Sequence, residues 1–280
     1  MQCIDIHVVT SDEAGMPLRD CAAAVFRHLP KKGVRKRIRA GTIRLNGQVV
    51  PSNATVQCAD EISLWQRVDN SPPFDYPLSI LYEDTALAVI NKPAGLLVSG
   101  NAHRTVQRAL RSAITPPSVN DALQVARPVH RLDKETSGVL VVARTVGALR
   151  SLSQQFADRR VVKTYVAVVA GELTGKGNLD ASLDGKIATT DYQVLDSSPG
   201  PSGAPATRVL VRPHTGRTHQ IRRHLAGLGH PIIGDPLYGP ATAGKQRLLL
   251  HAWKIRMEHP LDGSGLQVEA PLPEGFGRYD

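Results

Sequence analysis

Five ionisable side chains, His130, Arg131, Asp133, Lys134 and Glu135, fall within six consecutive positions of this 280-residue chain. They lead into Val139-Leu140-Val141-Val142-Ala143, an apolar, β-branched run that reads as a strand buried on both faces. A carboxylate on a loop that feeds such a strand is anchored well enough for chemistry. Asp133 and Glu135 could form a carboxylate pair of the kind that cleaves glycosidic bonds. A plain charged turn held by arginine–aspartate pairing explains the same residues.

Two further stretches carry reactive types. His214-Thr215-Gly216-Arg217-Thr218-His219-Gln220-Ile221-Arg222 reads as a helix entrance capped by Thr218, with Ile221, Leu225 and Leu228 as its buried stripe. Arg217 stands at that entrance, near unpaired backbone N–H groups. Val161 to Val169 reads as a strand with Lys163, Tyr165 and Ala167 on one face, either a cleft wall or simple packing. Lys92, in the Asn91-Lys92-Pro93-Ala94-Gly95 loop, could meet phosphate. Histidines 214, 219, 224 and 230 lack the i, i+4 spacing and cysteine partners of a metal site, so no metal is expected.

The elements that must position these groups divide at a proline-rich stretch. Residues 1–67 read as a small module, 68–77 as a linker and 78–280 as the main domain. Between Ala22 and Ala59 there is no acidic residue, while Arg35, Lys36, Arg37 and Arg39 crowd one short segment. Helices are expected over Leu18–Leu29 and Val34–Ala40, with a break at Gly33 and a stop at Gly41. Asn46-Gly47 predicts a hairpin over residues 42–50, and Asp60–Trp65 a further strand.

In the main domain, strands are expected at 78–82, 86–90, 207–211, 248–252 and 266–270, and helices over Val106 to Ile114 and after Thr145. Residues 115–127 and 196–205 read as loops, the latter mobile. Many strands and few helices give an α+β fold with a mixed, largely antiparallel sheet.

A net charge of +9 favours a polyanionic partner. Aromatics make up only 4% of the chain, which argues against a surface of many stacked rings. No apolar run approaches the roughly 18–20 residues of a membrane helix. The N-terminus lacks a positive leader, and the cysteines Cys3, Cys21 and Cys58 form no C-x-x-C pair. A cytoplasmic protein that does not bind membranes is expected.

Taken jointly, His130-Arg131-Leu132-Asp133-x-x-Thr136-Ser137-Gly138, Lys163-x-Tyr165, Thr215 to Arg222 and His230-Pro231-Ile232-x-Gly234-Asp235-x-x-Tyr238-Gly239 resemble the RluA-type pseudouridine synthase family. Residues 15–65 resemble the RNA-binding module named after ribosomal protein S-four, with Ala59-Asp60 where Gly-Asp is usual. The resemblance implies a pseudouridine synthase catalytic domain that isomerises uridine to pseudouridine in structured ribosomal or transfer RNA, acting as a monomer without metal or organic cofactor. It implies that Asp133 is the catalytic aspartate, either bonding to C1′ or promoting a glycal route. Arg217 would pair with it, Tyr165 would stack on the uracil and act as base, and Arg131 would fill the gap left by the flipped base. Lys92, Lys163 and the Arg35, Lys36, Arg37 and Arg39 cluster would touch RNA. His130 reads as structural, and Glu135 as a surface charge.

Overall fold

The structure, a computed structural model, describes residues 1–26, 29, 31–66, 72–200, 203–239 and 246–276. Two compact units are formed, residues 1–72 with 150–157, and 73–149 with 158–280. Positions 68–71 of the expected linker lie outside the described residues.

The first unit is built on a three-stranded sheet, in the order β1 (Gln2–Val8), β3 (Glu61–Gln66), β2 (Ile43–Leu45). Helices α1 (Leu18–Val25) and α2 (Lys31–Arg39) accompany it. The Asn46-Gly47 turn forms as expected, with φ of 49° and 75° and Leu45 and Gln48 exchanging backbone hydrogen bonds. Val49 and Val50 do not continue as a strand, because β2 turns to pair with β3 instead. Asn46 also donates to Asp60 and accepts from the Glu61 N–H. Ala59 takes the left-handed backbone where glycine is usual (φ 69°), at a cost of about 1–2 kcal/mol.

The expected break at Gly33 is wrong: Gly33 lies inside α2, and the chain departs from helix after Val25. A helix tolerates one interior glycine for about 1 kcal/mol. Residues 27 and 28 of the longer helix expected up to Leu29 lie outside the described residues.

The second unit carries a ten-stranded sheet whose main path is β4 (Ser79–Glu83), β5 (Leu87–Lys92), β7 (Ser137–Thr145), β12 (Leu250–Glu258), β8 (Val162–Ala170), β11 (Pro205–Pro213), β10 (Thr189–Pro199) and β9 (Lys176–Asp180). Strand β6 (Ala122–Pro128) pairs with β7, and β13 (Gly265–Glu269) with β12. Every pairing is antiparallel except β7 with β12, so the fold is the α+β arrangement expected. Apolar residues of β5 and β7 pack with helix α3 (Val106–Ala113), and those of β8 and β11 with α5 (Gln220–Gly227). Thr105 caps α3, and Thr145 accepts from the Ala148 N–H to cap α4 (Val146–Ala157).

Three expectations fail here. The loop before Pro128 holds β6. The segment 196–205 is strand at both ends, with β10 running to Pro199 and β11 starting at Pro205. The entry of helix α5 is also displaced: its N-cap is His219, in the left-handed region and without a capping side-chain bond, not Thr218.

The seam between β7 and β12 is unusually close. Gly138 has φ +112°, and a β-carbon there would lie 2.2 Å from the Ala252 carbonyl oxygen. Only glycine allows that approach.

Candidate active site

Asp133 sits five residues before that seam, half-buried on the loop that enters β7. The loop is pinned at both ends. Upstream, the Val141 N–H donates to His130 Nε2 (3.0 Å) and the Val129 N–H to the Val141 carbonyl. Downstream, the Lys134 carbonyl accepts from the Gly95 N–H and from Lys92 Nζ (3.0 Å). Burial and the nearby Lys163 charge push the His130 imidazole down to about 3, so it remains a neutral acceptor. At the head of β7, Ser137 Oγ is bonded to His251 Nδ1 (2.8 Å) and accepts from Arg247 (2.8 Å), tying the loop to β12.

Lys92 corrects the expectation of phosphate contact. Its side chain is fully buried, and Nζ donates to the carbonyls of Pro93, Leu96 and Lys134. Burial lowers its ammonium to about 8 against the supporting charges of Glu135 and Asp133. Its role is to brace the Asp133 loop.

The arginine facing Asp133 is Arg222, not Arg217. Arg222 Nη1 lies 3.6 Å from Asp133 Oδ2. Arg217 precedes α5; its N–H donates to Gln220 Oε1, and its Nε donates to the Ile187 carbonyl. Because α5 begins at Gln220, Arg222 occupies its first turn and points to the aspartate. Arg222 is itself held in a bidentate pair with buried Asp235, Nε–Oδ2 and Nη2–Oδ1 both 2.7 Å. Burial opposes the Arg222 charge, but the hydrogen bonds and charge of Asp235, with Asp133 and Tyr238, outweigh it and raise its pKa. Asp235 Oδ1 also accepts from the Leu237 and Tyr238 N–H groups, so the pair fixes the 235–238 turn. Together with these bonds, Arg222 holds the Asp235 carboxyl below the usual range despite burial.

His219 approaches the other carboxylate oxygen, with Nε2 3.9 Å from Asp133 Oδ1. Its Nδ1 lies 3.1 Å from Tyr238 Oη, and the Tyr238 ring lies under the Arg222 guanidinium. Sequence reasoning quoted His219, Arg222 and Asp235 within its motifs but gave none of them a role beside Asp133. The i to i+3 spacing of His219 and Arg222 on one turn was the available signal.

Tyr165 lies mid-sheet, paired with Val211 of β11 and Ala252 of β12. Burial, then the negative charge of Asp133, pushes its phenol above the ordinary tyrosine range. Lys163 is half-buried and its ammonium is lowered by burial and by Arg159. Arg131 is exposed beside Asp133, and Glu135 is half-buried against Lys134 (3.4 Å). In the first unit Arg35, Lys36 and Arg39 are exposed on α2, while Arg37 is half-buried. Among the described residues, no group of three or more histidine, cysteine or acidic side chains could hold a metal. Nor is any helix there long and apolar enough to cross a membrane.

A half-buried carboxylate flanked by a fixed guanidinium and an imidazole suits charge stabilisation at a sugar carbon. Residues 86–227 match the family described as RNA pseudouridylate synthase. The chain belongs to that family, in its RluA-type branch, and isomerises uridine to pseudouridine in RNA.

A ribosomal large subunit pseudouridine synthase D of Xanthomonas campestris is 34% identical, over 97% of this chain and 90% of its own length. The protein of that name from Escherichia coli O6:H1 is 32% identical, over 95% of this chain and 90% of its own. The solved structure of human RNA pseudouridylate synthase domain containing 1 aligns with a TM-score of 0.60 at 30% identity, covering 72% of this chain and 86% of that one.

Proposed function

We propose that this chain makes pseudouridine in ribosomal RNA of the large subunit, with Asp133 as the reacting carboxylate. The observation that carries the reading is the Asp133–Arg222 contact (3.6 Å), with Arg222 locked from behind by Asp235. As the C1′–N1 bond lengthens, positive charge builds on the ribose. An ionised Asp133 stabilises it, by attack at C1′ or along a glycal route. Arg222 orients that carboxylate without reacting. Tyr165 supplies a flat, apolar wall for the uracil. Arg131, exposed next to Asp133, fills the space left when the nucleotide leaves its stack.

The large-subunit assignment follows the names of the bacterial relatives. The basic face of α2, with Arg35, Lys36 and Arg39 exposed, supports the S-four-like reading of the first module as an RNA-placing element. Lys163 adds charge for the phosphate backbone. The enzyme works as a cytoplasmic monomer, where ribosomal RNA is made.

The test is Asp133→Asn. Pseudouridine formation should fall more than about 100-fold while RNA affinity stays within about threefold. Full activity in that variant would sink the assignment. Mapping pseudouridine in total RNA with and without the gene should show sites lost from the large-subunit RNA. Loss confined to transfer RNA would overturn the substrate.

A further inference from the structure

We propose that His219 is the base of the second half-reaction: its Nε2 takes the proton from C5 of the uracil after C5 has bonded to C1′. The inference rests on the reading of Asp133 as the reacting carboxylate.

The chemistry balances without a co-reactant. The C1′–N1 bond breaks and C1′–C5 forms, leaving C5 with its hydrogen and four single bonds. Removal of that hydrogen as a proton returns the C5–H electron pair to the ring. N1, which left the sugar with an electron pair, gains a proton from the imidazolium or from water, so no proton is consumed overall.

Geometry restricts the base. The reacting carbon must approach Asp133 to about 3 Å, and C5 ends one bond from that carbon. A base for C5 therefore lies within a few ångströms of the same carboxylate, or one water away. Four titratable groups from outside its own loop interact with Asp133 among the described residues. Arg222 keeps its protons in the bidentate pair with Asp235. Lys92 is fully buried with its ammonium spent on three carbonyls. Tyr165 is pushed towards its protonated form by burial and by Asp133 itself, which makes its phenolate scarce. His219 remains, a quarter exposed, with Nε2 3.9 Å from Asp133 Oδ1 and no closer partner among the described residues.

The backbone of His219 supports a dedicated role. A non-glycine residue at φ 53°, ψ 28° costs about 1–2 kcal/mol. That strain does not serve the helix, because the side chain makes no capping bond. It aims the ring between Asp133 and Tyr238, and an observed outlier beside a reactive group points to function. His219 Nδ1 lies 3.1 Å from Tyr238 Oη; in the tautomer that donates Nδ1–H to that oxygen, the lone pair lies on Nε2. Tyr238 is in turn fixed by its N–H on Asp235.

The experiment compares single-turnover rates on RNA carrying uridine or 5-deuterouridine at the target. His219→Asn suits the left-handed backbone and can still bond Tyr238, but cannot take a proton. Its rate should fall about 100- to 10,000-fold with RNA affinity unchanged, and deuterium should slow the variant more than the native enzyme. His219→Gly, also compatible with that backbone, should recover rate when imidazole is added. A native rate in His219→Asn, or a slow rate with no added isotope effect and no imidazole rescue, overturns the proposal. Asp133→Asn is run alongside. If it is inactive, failure at His219 removes the base assignment alone; if it is active, the underlying reading falls with it.

Discussion

The Arg222–Asp235 pair allows scaffold and chemistry to be separated. Arg222 is 3% exposed and Asp235 fully buried, so removing one partner leaves the other charge stranded. Breaking such a pair costs about 3–5 kcal/mol, whereas neutralising both ends together can cost little. Arg222→Met should therefore destabilise the second unit by about 3–5 kcal/mol, and Asp235→Asn by a similar amount. Asparagine retains an acceptor for the Leu237 and Tyr238 N–H groups, which confines the loss to the charge. The double variant should be more stable than the two single losses sum to, by at least about 2 kcal/mol. In thermal unfolding of the full chain, each single variant should melt about 6–20 °C low and the double should recover part of that. Activity should not follow stability. The double variant regains its fold but still lacks the guanidinium facing Asp133, so pseudouridine formation stays depressed more than about 100-fold. Strict additivity of the stability losses, or native activity in the double variant, would refute the reasoning.

Further outcomes follow from the same geometry. Arg217→Ala should change stability by no more than about 1 kcal/mol and slow the reaction far less than Arg222→Met, since Arg217 reaches a carbonyl and not Asp133; equal rate losses would restore Arg217 to the site. His130 and His251 are held neutral, with pKa values lowered to about 3 and about 4. Below the ordinary histidine value near 6.5 the unfolded chain binds more protons than the folded one, so the stability these groups contribute above that pH should fall as pH drops from about 6.5 towards 4. Denaturant titrations across that window should show the fall, and His251→Asn should flatten it; identical slopes would reject the burial argument. Gly138→Ala combines a strained φ with overlap on the Ala252 backbone and should cost about 2–5 kcal/mol, checked by thermal unfolding.

Much of the fold was legible because its signals are local. The Asn46-Gly47 turn, the Thr145 cap and the apolar run 139–143 each announce themselves within a few residues. Strand β1 did not, because its partner β3 lies more than fifty residues away and a bulge between Cys3 and Asp5 breaks its alternation. Strand β10 was hidden by Ser, Pro and Gly around 197–203, although a ladder with β11 carries it to Pro199. Asp133 stood out through the joint motifs and not through its charged neighbours alone, which a plain charged turn explains as well. Its arginine was misjudged because the resemblance was carried to Arg217 within the Thr215 to Arg222 motif, whereas the arginine that faces Asp133 is the second one of that motif, Arg222. The observed N-cap is His219, one position after Thr218, and Arg222 in the first turn of α5 faces Asp133.

The parallel join of β7 and β12 also has a timing consequence. Strand β12 inserts between β7 and β8, yet it is made about a hundred residues after them. At a translation rate of about 5–20 residues per second, the nascent chain spends seconds with those two edges unmatched. Ser137 has no His251 or Arg247 to hold it during that interval, and the loop bearing Asp133 lacks its anchor on that side. The loop bearing Asp133 therefore gains its anchors on β12 only after that interval, and the carboxylate is placed well after the strand that carries it has been made.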